Sequence, residues 1–254
     1  MGRHWLSMGA FLGGALIVSA NAGLAAAADA PGCRDLVYRA NTYVVCEVDL
    51  RQQRLKLFWK QANGKRYGTL WNVAFRTRGR EGRMMFAMNA GMYSPERAPL
   101  GLYVENGRQL VAANTASDSG NFFLKPNGVF FVRSNRAGIA ETGQYLQQRL
   151  RPDLATQSGP MLVIDGRLHP KFAEQGASRN IRNGVGVIDE HRVVFAISKK
   201  AVSFGDFARL FRDHLRCANA LYLDGRISGL YAPLVLHKNV LMPMGPIIGA
   251  FGRK

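Results

Sequence analysis

Acidic residues are scarce in this chain of 254 residues: 17 Asp+Glu stand against 34 Lys+Arg, a formal charge of +17. Cysteine is nearly as rare, with three in all, which excludes a disulfide-built miniature scaffold. No apolar run beyond the first 28 residues reaches the roughly 18 residues that a membrane-spanning helix needs. The sequence contains no G-x-x-x-x-G-K-[ST], G-x-S-x-G, H-E-x-x-H or C-x-x-C. Phosphate-loop nucleotide binding, serine-elbow hydrolysis and zinc-protease chemistry are therefore disfavoured. The five histidines are dispersed, no metal-ligand spacing is present, and no cofactor can be assigned. Apolar residues make up 47%, too many for a disordered chain and ample for a sizeable core.

The first 28 residues have the layout of a secretory signal peptide. A short basic start (Met1-Gly2-Arg3-His4) precedes the apolar run Phe11–Val18 and the small-residue stretch Ala25–Ala28. This predicts cleavage after Ala28, with Ala22 the alternative point. The mature chain (29–254) then carries +16, because Arg3 is the one charged residue removed. Export argues against nucleic acid as the partner of that charge. Outside the cytoplasm the common polyanions are phosphorylated glycans, teichoic-type polymers and anionic lipids. The basic residues are scattered, densest at Arg76–Arg83 and Arg133–Arg136, as on a solvated surface. Cys33 and Cys46 would close a short loop in an oxidising compartment, but three cysteines allow three pairings and the sequence does not choose.

Period-two alternation dominates the rest. Thr42–Asp49 and Leu55–Trp59 read as a hairpin about Arg51-Gln52-Gln53. Gly101–Val104 with Gln109–Ala112, Phe122–Leu124 with Val129–Val132, and Val185–Ile188 with Val193–Ile197 read the same way. Met161–Ile164 runs into the turn pair Asp165-Gly166. One helix stands out, with Phe204, Phe207, Leu210, Phe211 and Leu215 at helical spacing and Ser203 and Asp206 as its capping pair. A second is expected over 140–150. The predicted class is α+β: a single strand-rich domain of hairpins, with one main helix packed on a mixed sheet.

The polar residues of interest stand at strand ends: Asn89-Ala90-Gly91, Ser158-Gly159-Pro160, Arg182-Asn183-Gly184-Val185-Gly186 and Asp224-Gly225-Arg226-Ile227-Ser228. In this order, with Pro99-x-Gly101 and with Ser203 before the helix, they resemble the phosphodiester glycosidase family over about Met84 to Pro233. That family includes the enzyme that uncovers mannose 6-phosphate by removing N-acetylglucosamine. The family's usual ending, Leu-Asp-Gly-Gly-Gly-Ser-Ser, is here Leu223-Asp224-Gly225-Arg226-Ile227-Ser228-Gly229, and Asn183 stands where the family often has Thr.

The resemblance implies an exported, periplasmic or extracellular hydrolase that cleaves a glycosyl-1-phosphodiester in an envelope or exopolysaccharide glycan. The alternative is a non-catalytic glycan- or polyanion-binding protein with the same fold. Phosphate is a good leaving group, so one carboxylate and one cation suffice for an oxocarbenium-like transition state. Asp224 is the expected catalytic carboxylate and Asp165 the candidate second one. Arg182 is the expected phosphate-binding cation. Asn89, Ser203 and Ser228 are expected to bind substrate.

Overall fold

Residues 1–2, 32–172, 176–224 and 227–253 are described in the computed structural model. The expected signal segment and the Gly225-Arg226 pair lie outside the described residues. Residues 31–254 form one compact unit.

The alternating segments become strands β1 (Cys33–Tyr38), β2 (Asn41–Asp49) and β3 (Gln53–Phe58), then helix α1 (Leu70–Thr77) and strand β4 (Met84–Asn89). Next come β5 (Tyr103–Glu105), β6 (Arg108–Val111), β7 (Gly128–Arg133), β8 (Arg136–Glu141), α2 (Thr142–Gln147) and β9 (Leu154–Ser158). They are followed by β10 (Met161–Ile164), β11 (Arg167–Leu168), β12 (Asn183–Val187), β13 (Arg192–Ser198) and α3 (Phe204–Arg209). The chain closes with β14 (Asn219–Asp224), β15 (Leu230–Ala232), β16 (Leu236–Lys238) and β17 (Ile247–Gly252).

Three sheets result, ordered β1-β2-β13-β12-β14-β10-β11, β16-β15-β4-β17-β3 and β6-β5-β9-β7-β8. The strand-rich α+β architecture is as expected. Every strand pairing among the described residues is antiparallel, where a mixed sheet was anticipated. Tight hairpins account for much of this, because a short connection returns the chain antiparallel to itself. The hairpins β5–β6, β10–β11 and β12–β13 form as read from the sequence.

Other expectations are corrected. β2 and β3 do not pair: β2 lies between β1 and β13, and β3 pairs β17 in another sheet. The polar turn between them is real, since Gln53 Oε1 accepts the Asp49 amide at 2.7 Å, but it carries the chain across a corner. Residues 43–46 of β2 are all buried, so the strand needs cover on both faces, which a two-stranded hairpin cannot give. Phe122 falls in a 3₁₀ turn, Asn121–Phe123, and not in a strand. The second helix is shorter than expected because residues up to Glu141 belong to β8, and Glu141 caps α2 by accepting the Gln144 amide.

The seven-stranded sheet is covered on both faces, and alternation along each strand decides which side chain goes where. Tyr43, Val45, Val194, Ala196, Ala220 and Tyr222 pack with Phe207 and Phe211 of the α3 region. Val44, Cys46, Phe195, Ile197, Leu221 and Leu223 pack toward the other sheets, against Phe86, Met88 and Phe130. Ser203 caps α3, accepting the Asp206 amide at 3.0 Å, and a π-helical turn, Leu210–His214, extends the helix.

Cys33 and Cys46 face each other across β1 and β2 and form a disulfide with a sequence separation of 13. Cys217 is a buried free thiol whose pKa is pushed up by burial. Replacing both disulfide cysteines by Ser is expected to cost about 2–3 kcal/mol by the chain-entropy relation, read as a lower urea midpoint under oxidising conditions.

Candidate active site

Strand ends from two sheets meet at one place. β4 ends at Asn89, β12 begins at Asn183 and β14 ends at Asp224, with Asn183 opposite Asp224 in register. Asn183 joins them: its Nδ2 donates to Asn89 Oδ1 at 3.0 Å and to Asn89 O at 3.1 Å. Its Oδ1 accepts the Asp224 amide at 3.0 Å. The Gly229 amide donates to Asn89 Oδ1 at 2.9 Å. Ser228 Oγ closes the loop, 2.6 Å from Asp224 O and 3.0 Å from Ile181 O. All four side chains are buried. Asn89 Nδ2 is buried with no hydrogen-bond partner among the described residues, and such a group requires an explanation.

Asp224 opens onto a cavity of about 570 Å³, whose lining includes Tyr93, Ser94, Arg97, Asn121 and Ile227. Asp224 is the one carboxylate among the described lining residues. Arg97 is half-buried there and makes no ion pair among the described residues.

The glycines read from the sequence shape these walls. Gly91 has φ +92°, and a Cβ there would lie 2.6 Å from Thr156 Oγ1, so a side chain is excluded twice over. Thr156 Oγ1 itself donates to Ala90 O at 2.9 Å. A Cβ on Gly159 would lie 2.8 Å from Phe122 O, so this glycine lets β9 approach the turn that carries Asn121. Its neighbour Ser158 donates to Leu223 O at 2.9 Å and pins the end of β14. Gly91→Ala is expected to destabilise by about 1–3 kcal/mol, as a strained left-handed residue with a steric clash, visible as a lower thermal midpoint.

Arg182 stands differently from expectation. It is fully buried, with its guanidinium carbon 3.5 Å from the centre of the Phe204 ring. Nε donates to Val202 O at 2.9 Å, Nη2 to Ser178 O at 2.8 Å and Nη1 to the Tyr222 hydroxyl at 3.3 Å. No carboxylate pairs with it among the described residues. The stack continues outward from Arg182, with Phe204 parallel to Phe172 at 4.6 Å and Phe172 beside His169 at 4.5 Å. A cation held by a ring face and carbonyl dipoles replaces the usual ion pair.

His169 is held as a neutral ring, its Nε2 bonded to Lys125 O at 3.0 Å and its Nδ1 accepting the Lys171 amide at 3.2 Å. Burial lowers its pKa, and the nearby Lys171 charge adds to this. The unfolded chain takes up a proton near pH 6.5 while the folded chain resists it, so this stability contribution is present above that pH and is lost as pH falls below it. The thermal midpoint is expected to drop between pH 7.5 and 5.5, and His169→Gln to flatten that part of the profile.

Asn89, Asp224 and Ser228 are thus brought together. Asp165 is not among them. It occupies the exposed β10–β11 turn with φ 46°, its carboxylate accepting Asn219 Nδ2 at 3.3 Å. Asn219 begins β14 and Asp224 ends it, which sets the two carboxylates about 17 Å apart along the strand. Ser203 is spent on its cap, donating to Asp206 Oδ2 at 2.8 Å and accepting the Asp206 amide. Arg97, Asn121 and the linking role of Asn183 were missed by sequence reasoning. Arg97 sits in a surface-like Pro95-Glu96-Arg97-Ala98 run that nothing distinguishes from the chain's other arginines. Asn183 was noticed only as a departure at a Thr position. Among the described residues no group of three or more His, Cys, Asp or Glu side chains is placed to hold a metal ion.

An antiparallel α+β scaffold that gathers two Asn and one Asp at its strand ends, beside an arginine-bearing cavity, defines a polar-ligand site on a rigid frame. The model of the phosphodiester glycosidase family matches residues 82–238, and the chain belongs to that family. It is 40% identical over 207 residues to the uncharacterized protein YigE of Escherichia coli K12, covering 82% of this chain and 80% of that one. Among solved structures it is similar to the catalytic domain of zebrafish N-acetylglucosamine-1-phosphodiester alpha-N-acetylglucosaminidase, auto-inhibited by its pro-peptide. The TM-score is 0.59 at 12% identity, with 87% of this chain and 82% of that one covered. A hypothetical protein from Synechocystis is similar with a TM-score of 0.52 at 15% identity, over 87% of this chain and 61% of that one. At these identities the two structures show the fold alone.

Proposed function

We propose that the chain is an exported hydrolase cleaving a glycosyl-1-phosphodiester bond in an envelope or exopolysaccharide glycan. The observation that carries this reading is a cavity that holds both the Asp224 carboxylate and Arg97, which makes no ion pair among the described residues, at the end of a buried asparagine network. Asp224 acts at the anomeric carbon, as base for water or as nucleophile. The bond between that carbon and the phosphate oxygen breaks, and the phosphate leaves with the electron pair. Because it leaves as a stabilised anion, no second carboxylate is needed to protonate it. Arg97 binds the phosphate. Asn89, buried behind the cavity, holds the loop that follows Asp224 by accepting the Gly229 amide. Arg182 acts from behind, fixing Tyr222 two residues before Asp224. The disulfide and the N-terminal sequence support export, and no helix among the described residues is long and apolar enough to cross a membrane.

The test is release of reducing sugar from a synthetic sugar 1-(methyl phosphate). Arg97→Ala is expected to raise KM by about tenfold to a hundredfold, the loss of one charged hydrogen-bonding partner, with a smaller effect on kcat. Salt-sensitive glycan binding without product would assign the chain to non-catalytic polyanion binding.

A further inference from the structure

The basic cluster at Arg76–Arg83 plays no part in the site just described, and it lies beside exposed apolar side chains. Helix α1 buries Leu70, Val73 and Thr77 and turns Trp71 and Phe75 outward, 48% and 69% exposed. These two are four residues apart and so share a face. Beside the first turn, the Trp71 amide donates to Val240 O at 3.0 Å. The segment that follows Val240 carries Leu241 and Met242, 70% and 45% exposed. Arg76, Arg78 and Arg80 end and follow the helix, and none makes an ion pair among the described residues. Residues 59–80 and 225–254 contain no Asp or Glu. The next carboxylate, Glu81, is held by Lys56 at 2.7 Å and Arg54 at 3.9 Å.

We propose that this face docks on an anionic lipid surface, with Trp71, Phe75, Leu241 and Met242 entering the headgroup region and Arg76, Arg78 and Arg80 meeting lipid phosphates. Three arginines without carboxylates complement a negative surface, and two such faces from copies of this chain would repel. A glycan would stack on the indole and phenyl rings but has no use for exposed Leu and Met. A bilayer interface accommodates all four, with the arginine heads at phosphate level.

The experiment uses the compact unit 31–254, so that the N-terminal apolar segment does not contribute. Its sedimentation is measured with vesicles of phosphatidylcholine alone and of phosphatidylcholine mixed with phosphatidylglycerol. Binding to the mixed vesicles is expected to exceed binding to the neutral ones at least tenfold. The double variant Trp71→Ser/Phe75→Ser and the triple variant Arg76→Glu/Arg78→Glu/Arg80→Glu should each lower it at least tenfold. Brominated phosphatidylglycerol should quench tryptophan emission in the unsubstituted protein, with the quenching lost in Trp71→Phe. Absence of vesicle binding, binding unchanged by the aromatic pair, or tight binding to soluble polyphosphate with none to vesicles would each overturn the proposal.

Discussion

Asp224→Asn is expected to lower turnover of a glycosyl-1-phosphodiester by about a hundredfold to ten-thousandfold, the range lost with a positioned general base. The substitution keeps the shape of the side chain and leaves both backbone anchors intact. The Asp224 amide still reaches Asn183 Oδ1 and the carbonyl still accepts Ser228 Oγ. Folding should therefore be nearly unaffected and KM should change little, since the carboxylate is assigned to the transition state and not to substrate binding. A variant that keeps its thermal midpoint and its KM but loses kcat would fit this assignment. Equal loss of binding and turnover would move Asp224 to a recognition role.

Arg182→Ala is expected to act on stability first, by about 2–5 kcal/mol, from the cavity it opens over Phe204 and the buried acceptors it leaves unsatisfied. The substitution empties the space over Phe204 and takes a donor from Ser178 O, the Tyr222 hydroxyl and Val202 O, of which Val202 O keeps the Asn180 amide at 3.2 Å. Arg182→Lys should recover little, because an ammonium does not span three acceptors from a flat stacked position. Urea unfolding reads the effect directly. An unchanged midpoint with a raised KM would mean that the guanidinium meets the substrate phosphate, the role expected from the sequence. The buried stack argues for a positioning role that reaches Asp224 through Tyr222 and the end of β14.

The two substitutions separate what the sequence made legible from what it did not. Asp224, Asn89 and Ser228 were found because strand-end polar residues next to glycine stand out against alternating apolar runs, and their ordered set resembles a family. Their convergence was not visible, because β4 and β14 belong to different sheets whose packing brings these strand ends together. Asp165 and Asp224 carry the same Asp-Gly pair after an apolar strand. Only the pairing of β10 with β14 shows that they lie at opposite ends of the same sheet. Arg182 was recognised as special but given an outward role, since burial of a cation cannot be read from a sequence that also supplies Phe172, Phe204 and Tyr222 from distant segments. The hairpins β5–β6 and β10–β11 were legible for a local reason, a two-residue turn that contains glycine, whereas β1–β2 and β7–β8 turn at Arg39-Ala40 and Ser134-Asn135 without glycine and were not read. The β2–β3 corner failed for the opposite reason, because which sheet a doubly buried strand joins is decided by long-range packing.

The central claim is cleavage at the anomeric carbon with Asp224 as the acting group, and hydrolysis of a sugar 1-(methyl phosphate) in oxygen-18 water tests it most directly. Label is expected on the anomeric oxygen of the released sugar and none in the methyl phosphate, with turnover lost in Asp224→Asn. Label in the phosphate, or full turnover by Asp224→Asn, would contradict it.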